Sequence, residues 1–372
     1  MSEPVRVTIA AVETTTVSRR AKPELAVRGA RTTHADSTFV LVRVTTSDGV
    51  EGYGEVSATA AWSGEDEVTA THFVRDVFAP LLRERALAPV AAHTREMDRV
   101  VRGNAFTKAG VNTALWDALA RTLDVPLTVL LGGPFRHEVP VKISLSGDDD
   151  DVRAGYETAR ELGFSAFKVK VGKDPDADVA RVALVRELAG ADALIGVDAN
   201  GGWARATALG VVRRLRESEI AFVEQPVHAA DLTGMREVRT LGLPVVADEA
   251  MYGPEDALRI AEAGAADVVS IYVGKSSGLE RGVESARLAA RLGLDVVVGA
   301  NGEMGVGAAA QLHLACACER LGAIPCGIIG HHFYEEEPTL VKPLEIADSV
   351  AVLPDGPGLG VALHDDVRRA FA

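Results

Sequence analysis

From about residue 139 onward, short apolar segments alternate with helical stretches, and this repetition restricts the fold more than any other feature. The segments centre near Ile143, Val169, Val197, Val223, Val246, Ile271, Val298 and Gly327, at steps of roughly 23 to 29 residues, which suits a strand plus a helix. Eight such units in about 200 residues fit a closed parallel barrel. An open doubly wound sheet would usually carry a glycine fingerprint after its first strand. Here Leu145-Ser146-Gly147-Asp148 is followed by acids instead. Hydrophobic residues make up 47% of the 372 and aromatic ones only 5%, which favours packed helices and parallel strands over a sandwich. The eighth strand lacks its usual helix.

The segment before residue 126 reads differently. Val5-Arg6-Val7-Thr8-Ile9 alternates, Phe39 to Val44 is β-branched and apolar, Ser47-Asp48-Gly49 turns, and Glu51 to Val56 returns. Between the first two strands, Val17 to Asp36 carries Arg19, Arg20, Lys22, Arg28, Arg31 and His34, and is expected to be a basic lid loop. Residues 65–124 have helical spacing, with Trp116 on the apolar face of Lys108 to Leu123. Pro126 and Gly132-Gly133-Pro134 then mark a boundary. The expected division is an N-terminal α+β domain over 1–125, a barrel over 126–344, and a tail over 345–372 that returns to the first domain.

The formal net charge of −14 argues against a nucleic-acid or acidic-membrane partner. No apolar run reaches the ~20 residues of a bilayer span, and Met1 to Ala10 has no signal-peptide core. Cys316, Cys318 and Cys326 match no zinc or redox motif and read as buried small residues. A cytoplasmic location follows as an expectation.

Barrel enzymes place their chemistry at the C-terminal strand ends. Strands three, four and five end at Asp198, Glu224 and Asp248. Three carboxylates at one level repel each other unless a cation lies between them. An all-oxygen set without histidine suits Mg²⁺ first and Mn²⁺ second. Lys168 and Lys170, two apart on strand two, point to one face. Each is expected to lower the other's proton affinity, as a lysine base requires. Lys275 follows strand six, across the barrel. Together these parts fit removal or addition of a proton next to a substrate carboxylate, with a metal-stabilised enolate between.

At these residues the chain resembles the enolase superfamily, whose sites pair a lysine or histidine base with Mg²⁺, and, within it, the muconate lactonizing enzyme subgroup. Lys168-x-Lys170, Asp198-Ala199-Asn200, Glu224-Gln225-Pro226, Asp248-Glu249, Lys275 and Glu303 stand in the subgroup's order. Trp116-Asp117-Ala118, Leu130 to Gly133 and Gly356 to Gly360 resemble further family segments. The resemblance implies an α/β fold, a (β/α)₇β TIM-like barrel with an N-terminal α+β capping domain. It implies Lys170 as base on one face, tuned by Lys168, and Lys275 as acid or base on the other. Asp198, Glu224 and Asp248 would bind Mg²⁺. Asn200 and Glu249 would orient ligands, and Glu303 would lie near the substrate carboxylate. Specificity would come from the basic loop and the Ser57 to Gly64 turn with Trp62.

Two departures stand out. Lys275 is followed by Ser276-Ser277-Gly278 rather than by paired glycines, and the epimerases' Asp-x-Asp after the last strand is replaced by Gly330-His331-His332-Phe333-Tyr334. His331 is a candidate substrate contact there. The expected function is cycloisomerisation of a muconate-like dicarboxylate. The alternative is a racemase, epimerase or dehydratase acting on an amino-acid-like carboxylate. The expected partner is a small carboxylate, and barrel enzymes often assemble as homo-oligomers.

Overall fold

The computed structural model describes residues 7–30, 33–336 and 339–371. Strand Ile9–Arg20 pairs antiparallel with Asp36–Thr46, and that strand pairs with Glu51–Val56. Gly49, at φ +84°, makes the turn between the last two. Helix Ala105–Thr122 lies against this sheet at backbone distance. A Cβ on Gly54 would sit 1.9 Å from the Gly110 carbonyl oxygen, and one on Gly52 2.2 Å from the Ala118 nitrogen. The Gly-Tyr-Gly of the third strand therefore sets how closely the helix packs. Val5 and Arg6 lie outside the described residues.

The stretch from Val17 to Asp36 is more ordered than a loop. Val17 to Arg20 continues the first strand, paired with Phe39 to Asp36. A 3-10 turn over Pro23–Leu25 and a short hairpin, Val27–Arg28 with Thr33–His34, follow it.

Seven parallel strands follow in sequence order: Ile143–Leu145, Ala166–Lys170, Leu194–Asp198, Val223–Glu224, Val245–Ala247, Val268–Ile271 and Asp295–Val298. Their valines and isoleucines are almost all buried, as expected of strands covered on both faces. The eighth segment closes the ring through single hydrogen bonds. Gly327 N donates to Val298 O at 2.8 Å on one side; on the other, Cys326 N donates to Pro140 O at 2.8 Å and Lys142 N to Cys326 O at 2.9 Å. A 3-10 turn, Gly330–Phe333, stands where an eighth helix would begin. The acids after strand one are a helix start: Asp148 caps Asp149–Glu161 in a capping box with Asp151.

The tail first pairs Val350–Val352 antiparallel with both Ile346–Ala347 and Glu138–Pro140, under the N-terminal ends of the barrel strands. It then runs to the N-terminal segment, where Leu359 N donates to Asp117 Oδ1 at 2.7 Å and Phe371 packs on Tyr53. The three cysteines are free and buried. Among the described residues no helix is long and apolar enough to cross a membrane.

Candidate active site

The strand ends converge on one buried ion cluster. Lys168 Nζ donates to Glu224 Oε1 at 2.7 Å and lies 3.0 Å from Asp198 Oδ2. Lys170 Nζ donates to Asp198 Oδ2 at 2.7 Å and Asn200 Oδ1 at 3.0 Å. Burial pulls Lys168 down, but the Asp198, Glu224 and Asp248 charges outweigh it and hold its ammonium above the usual lysine range. This corrects the expectation for Lys168: without a further cation the carboxylates dominate its neighbouring ammonium. Burial also opposes the Asp198 charge, yet Lys168 and Lys170 hold that carboxyl below its ordinary range. Glu224 goes the other way, raised mainly by burial.

Asn200 adopts φ +44°, which turns its amide back over the strand end. There it receives Lys170 and donates to Glu249 Oε1 at 3.1 Å. Gln225 Oε1 accepts from Asp248 N at 3.0 Å and Ala250 N at 3.1 Å, fixing the turn that presents Asp248. Glu303 is buried, accepting from Asn301 N and Gln311 Nε2 at 3.0 Å each. Burial pushes its carboxyl up.

On the far side of the ring, Asp248 meets two groups from the sixth strand end. Lys275 Nζ donates to its Oδ1 at 2.6 Å, and the Tyr272 hydroxyl donates to its Oδ2 at 3.1 Å. The Lys275 side chain is 0% exposed, and the cavity at the strand ends is lined there by Tyr272 rather than by Lys275. Lys275 thus does not occupy the position expected of a second acid or base facing Lys170. His331 also differs: Gly330 and Phe333 line the cavity, while the His331 ring packs on His332, centroids 4.3 Å apart. The 3-10 turn carries it to the side.

Among the described residues, no three His, Cys, Asp or Glu side chains are grouped closely enough to hold an ion as they stand. The lysines supply the positive charge instead. The donor chemistry still suits a hard divalent ion: three buried carboxylates end adjacent strands. Beside them, Glu249 Oε2 is buried without a hydrogen-bond partner. Burial first, then the Asp248 and Asp198 charges, push Glu249 up to about 8.

Residues 11–132 match the mandelate racemase / muconate lactonizing enzyme N-terminal domain, and residues 151–367 match the enolase C-terminal domain-like family. The chain belongs to the mandelate racemase / muconate lactonizing enzyme family. It is 35% identical over 348 residues to muconate cycloisomerase 1 of Rhodococcus opacus, which spans 92% of this chain and 93% of that one. It is 28% identical over 333 residues to the L-Ala-D/L-Glu epimerase of Bacillus subtilis, 87% of this chain and 88% of that one. The structure of the muconate lactonizing enzyme from Pseudomonas fluorescens complexed with muconolactone superposes with a TM-score of 0.92 at 29% identity, covering 98% and 99% of the two chains. The chain is therefore an enolase-superfamily enzyme of the isomerase type.

Within this family member, the expected Trp62 lines the cavity together with Tyr272, which the sequence does not single out. Trp62 stacks on Tyr272, centroids 5.8 Å apart and 6° between planes, and on Tyr252 at 6.0 Å. Its turn is anchored by Glu65, which accepts from Phe106 N, Thr107 N and Thr107 Oγ1 at 3.1, 2.8 and 2.7 Å. Of the basic residues in the expected lid, only His34 lines the cavity among the described residues. Arg28 pairs with Asp151 at 3.0 Å, Arg20 with Asp36 at 3.4 Å, and Lys22 donates to the His332 carbonyl. Arg31 lies outside the described residues. A partner such as Asp151, far along the chain, leaves no local signal. Below Lys168, Lys142 is buried and donates to Pro325 O.

Proposed function

We propose that the chain is a Mg²⁺-dependent cycloisomerase of a muconate-like dicarboxylate. The observation that carries the substrate reading is the wall at the end of strand eight, where Ile328 and Ile329 line the cavity with Ile143 and Phe333. A planar unsaturated acid fits such a wall. An amino group would be left there without a carboxylate, and an unpaired buried charge is costly. Charge balance supports the same reading. Lys168, Lys170 and Lys275 match Asp198, Glu224 and Asp248, so a dication entering with a dianion leaves the balance unchanged.

Asp198, Glu224 and Asp248 would hold the ion, and Asn200 and Glu249 would orient those ligands. When bound, it supplies positive charge beside the substrate carboxylate, where the negative charge of an enolate develops. Lys168 and Lys170 approach from strand two. Internal addition of one carboxylate oxygen across the double bond puts an electron pair on the carbon beside the other carboxylate. Lys170 delivers a proton to that carbon, and Lys168 contacts the substrate carboxylate. Glu303 lies beside it. The aromatic stack of Trp62, Tyr252 and Tyr272 excludes water from the opposite wall.

The same lysine pair would serve an epimerase, and one relative of that activity is 28% identical. Proton NMR in D₂O with Mg²⁺ separates the two, using cis,cis-muconate, N-acyl amino acids and dipeptides. Lactone carrying one deuterium is the expected result. Exchange at an amino-acid α-carbon without lactone would move the enzyme to the epimerase reading.

A further inference from the structure

We propose that proton transfer in this site runs from one face only, because Tyr272 and not Lys275 meets the substrate opposite Lys168 and Lys170. The inference rests on the enolate chemistry proposed above and fixes its stereochemical course.

Strand six lies four places from strand two in the ring, so its end faces the lysine pair. The strand stops at Ile271, and the next residue, Tyr272, takes the strand-end position. Side chains alternate along a strand, which places Ser270 and Tyr272 on one side. Gly299, just past the end of the neighbouring strand Asp295–Val298, agrees with that direction. A Cβ there would lie 2.5 Å from Ser270 Oγ and 1.8 Å from a ring carbon of Tyr272. The missing side chain at Gly299 makes room for the tyrosine ring at the barrel mouth.

Lys275 is out of this alternation. The chain turns back after Tyr272, with Ser276 N donating to Tyr272 O at 3.1 Å and Gly278 N to Val273 O at 3.1 Å. The lysine folds underneath, its Nζ 3.9 Å from the centroid of the Tyr272 ring. An ammonium has three N–H donors. Those of Lys275 go to Asp248 Oδ1, Asp248 O and Ser270 O, at 2.6, 2.8 and 2.8 Å. None remains for a substrate. Lys170 makes two such bonds, to Asp198 and Asn200, and lines the cavity. One wall thus offers ammonium groups, and the other offers a phenol stacked on Trp62. Lys275 is a positioning residue for Asp248.

The test has two arms, both on the Mg²⁺-loaded full chain. In D₂O, muconolactone, L-Ala-L-Glu and N-acetyl-L-methionine are followed by proton NMR and chiral chromatography. The expected result is exchange of one of the two hydrogens beside the muconolactone carboxylate, and retention at any α-carbon that exchanges. Tyr272→Lys, which sets an ammonium on the second wall, is expected to add exchange of the other hydrogen. Exchange of both hydrogens, or accumulation of the opposite epimer, in the unsubstituted enzyme would overturn the inference. A crystal structure with Mg²⁺ alone is the second arm and needs no substrate. Tyr272 at the cavity with Lys275 Nζ on Asp248 and Ser270 supports the inference, and Lys275 Nζ in the cavity sinks it. Exchange confined to the amino-acid derivatives, with retention, would end the lactonizing reading while upholding the one-faced site.

Discussion

The side-chain amide of Asn112 donates to both carboxylate oxygens of Glu280, at 2.9 and 2.7 Å. The bond joins an N-terminal helix to the barrel helix that follows Lys275. Glu280 also accepts from Thr94 Oγ1 at 2.8 Å and Trp116 Nε1 at 2.7 Å, and Asn112 Oδ1 accepts from Leu279 N at 3.0 Å. Glu280→Ala strips several donors of their acceptor at once. An unsatisfied buried donor costs about 1–3 kcal/mol, so the variant is expected to lose roughly that much stability or somewhat more. Urea unfolding of the full chain measures it. A midpoint within error of the unsubstituted protein would show that the clamp contributes nothing.

Lys170 has a role that packing does not explain. Its ammonium bonds only to Asp198 and Asn200 among the described residues, and its side chain reaches the cavity. Lys170→Ala is expected to lower kcat by at least about 10³-fold, since positioned general acid–base groups contribute typically 10²–10⁴. Circular dichroism should report an unchanged fold. Activity within tenfold of the unsubstituted enzyme would remove Lys170 from the chemistry.

Much of this site is legible in the sequence because strand ends are legible. Asp198, Glu224 and Asp248 follow buried apolar runs, and adjacency in the ring follows from their order. Alternation alone places Lys168 and Lys170. Lys275 is misplaced by such a reading because the chain turns back after Tyr272, the first residue past the strand, and folds the lysine underneath. Counting from Ser270 by twos reaches Tyr272, so the signal is present. Arg28 and Glu65 are not legible in the same way. Each is satisfied by a partner from a distant segment, Asp151 and the start of helix Ala105–Thr122, which no local pattern reveals. Trp62 is recognisable as a cap residue, but its stack on Tyr272 depends on how the two segments meet.

Lys275→Met leaves Asp248 buried with one fewer cation. Breaking a buried pair by removing one partner costs about 3–5 kcal/mol. The variant is therefore expected to melt well below the unsubstituted protein in EDTA. Mg²⁺ should recover much of the difference, because a divalent ion on Asp248 replaces the lost charge. Thermal unfolding with and without about 5 mM Mg²⁺, enough to favour the bound state by mass action, gives the readout. Equal loss under both conditions would show that Asp248 does not hold the metal.

Chelation tests the carboxylate trio directly. Asp198, Glu224 and Asp248 are all-oxygen donors suited to Mg²⁺, and no histidine stands among the cavity-lining residues at those strand ends. Dialysis against EDTA is expected to abolish turnover, and Mg²⁺ or Mn²⁺ should restore it. Full activity after chelation, with metal content measured below about one-tenth per chain, would rule out a metal role for the trio.

Lys142 gives the pH dependence a defined sign. Burial, and next the Lys168 charge, push its ammonium down to about 8, whereas an unfolded lysine titrates near ~10.4. Between those values the unfolded chain binds more protons than the native one. Stability contributed by this group therefore rises with pH across that window, because the cost of a buried ammonium disappears as it loses its proton. Below pH ~8 the cost is fully present, on the order of 3 kcal/mol from the size of the shift. Lys142→Met removes the charge, keeps the stem against Phe222, whose ring centre lies 5.5 Å from the Lys142 Nζ, and gives up the bond to Pro325 O. The stability of the unsubstituted protein minus that of Lys142→Met is expected to climb from about pH 7 to about pH 10, measured by urea unfolding at each pH. A flat difference across the window would mean that Lys142 keeps an ordinary proton affinity inside the barrel.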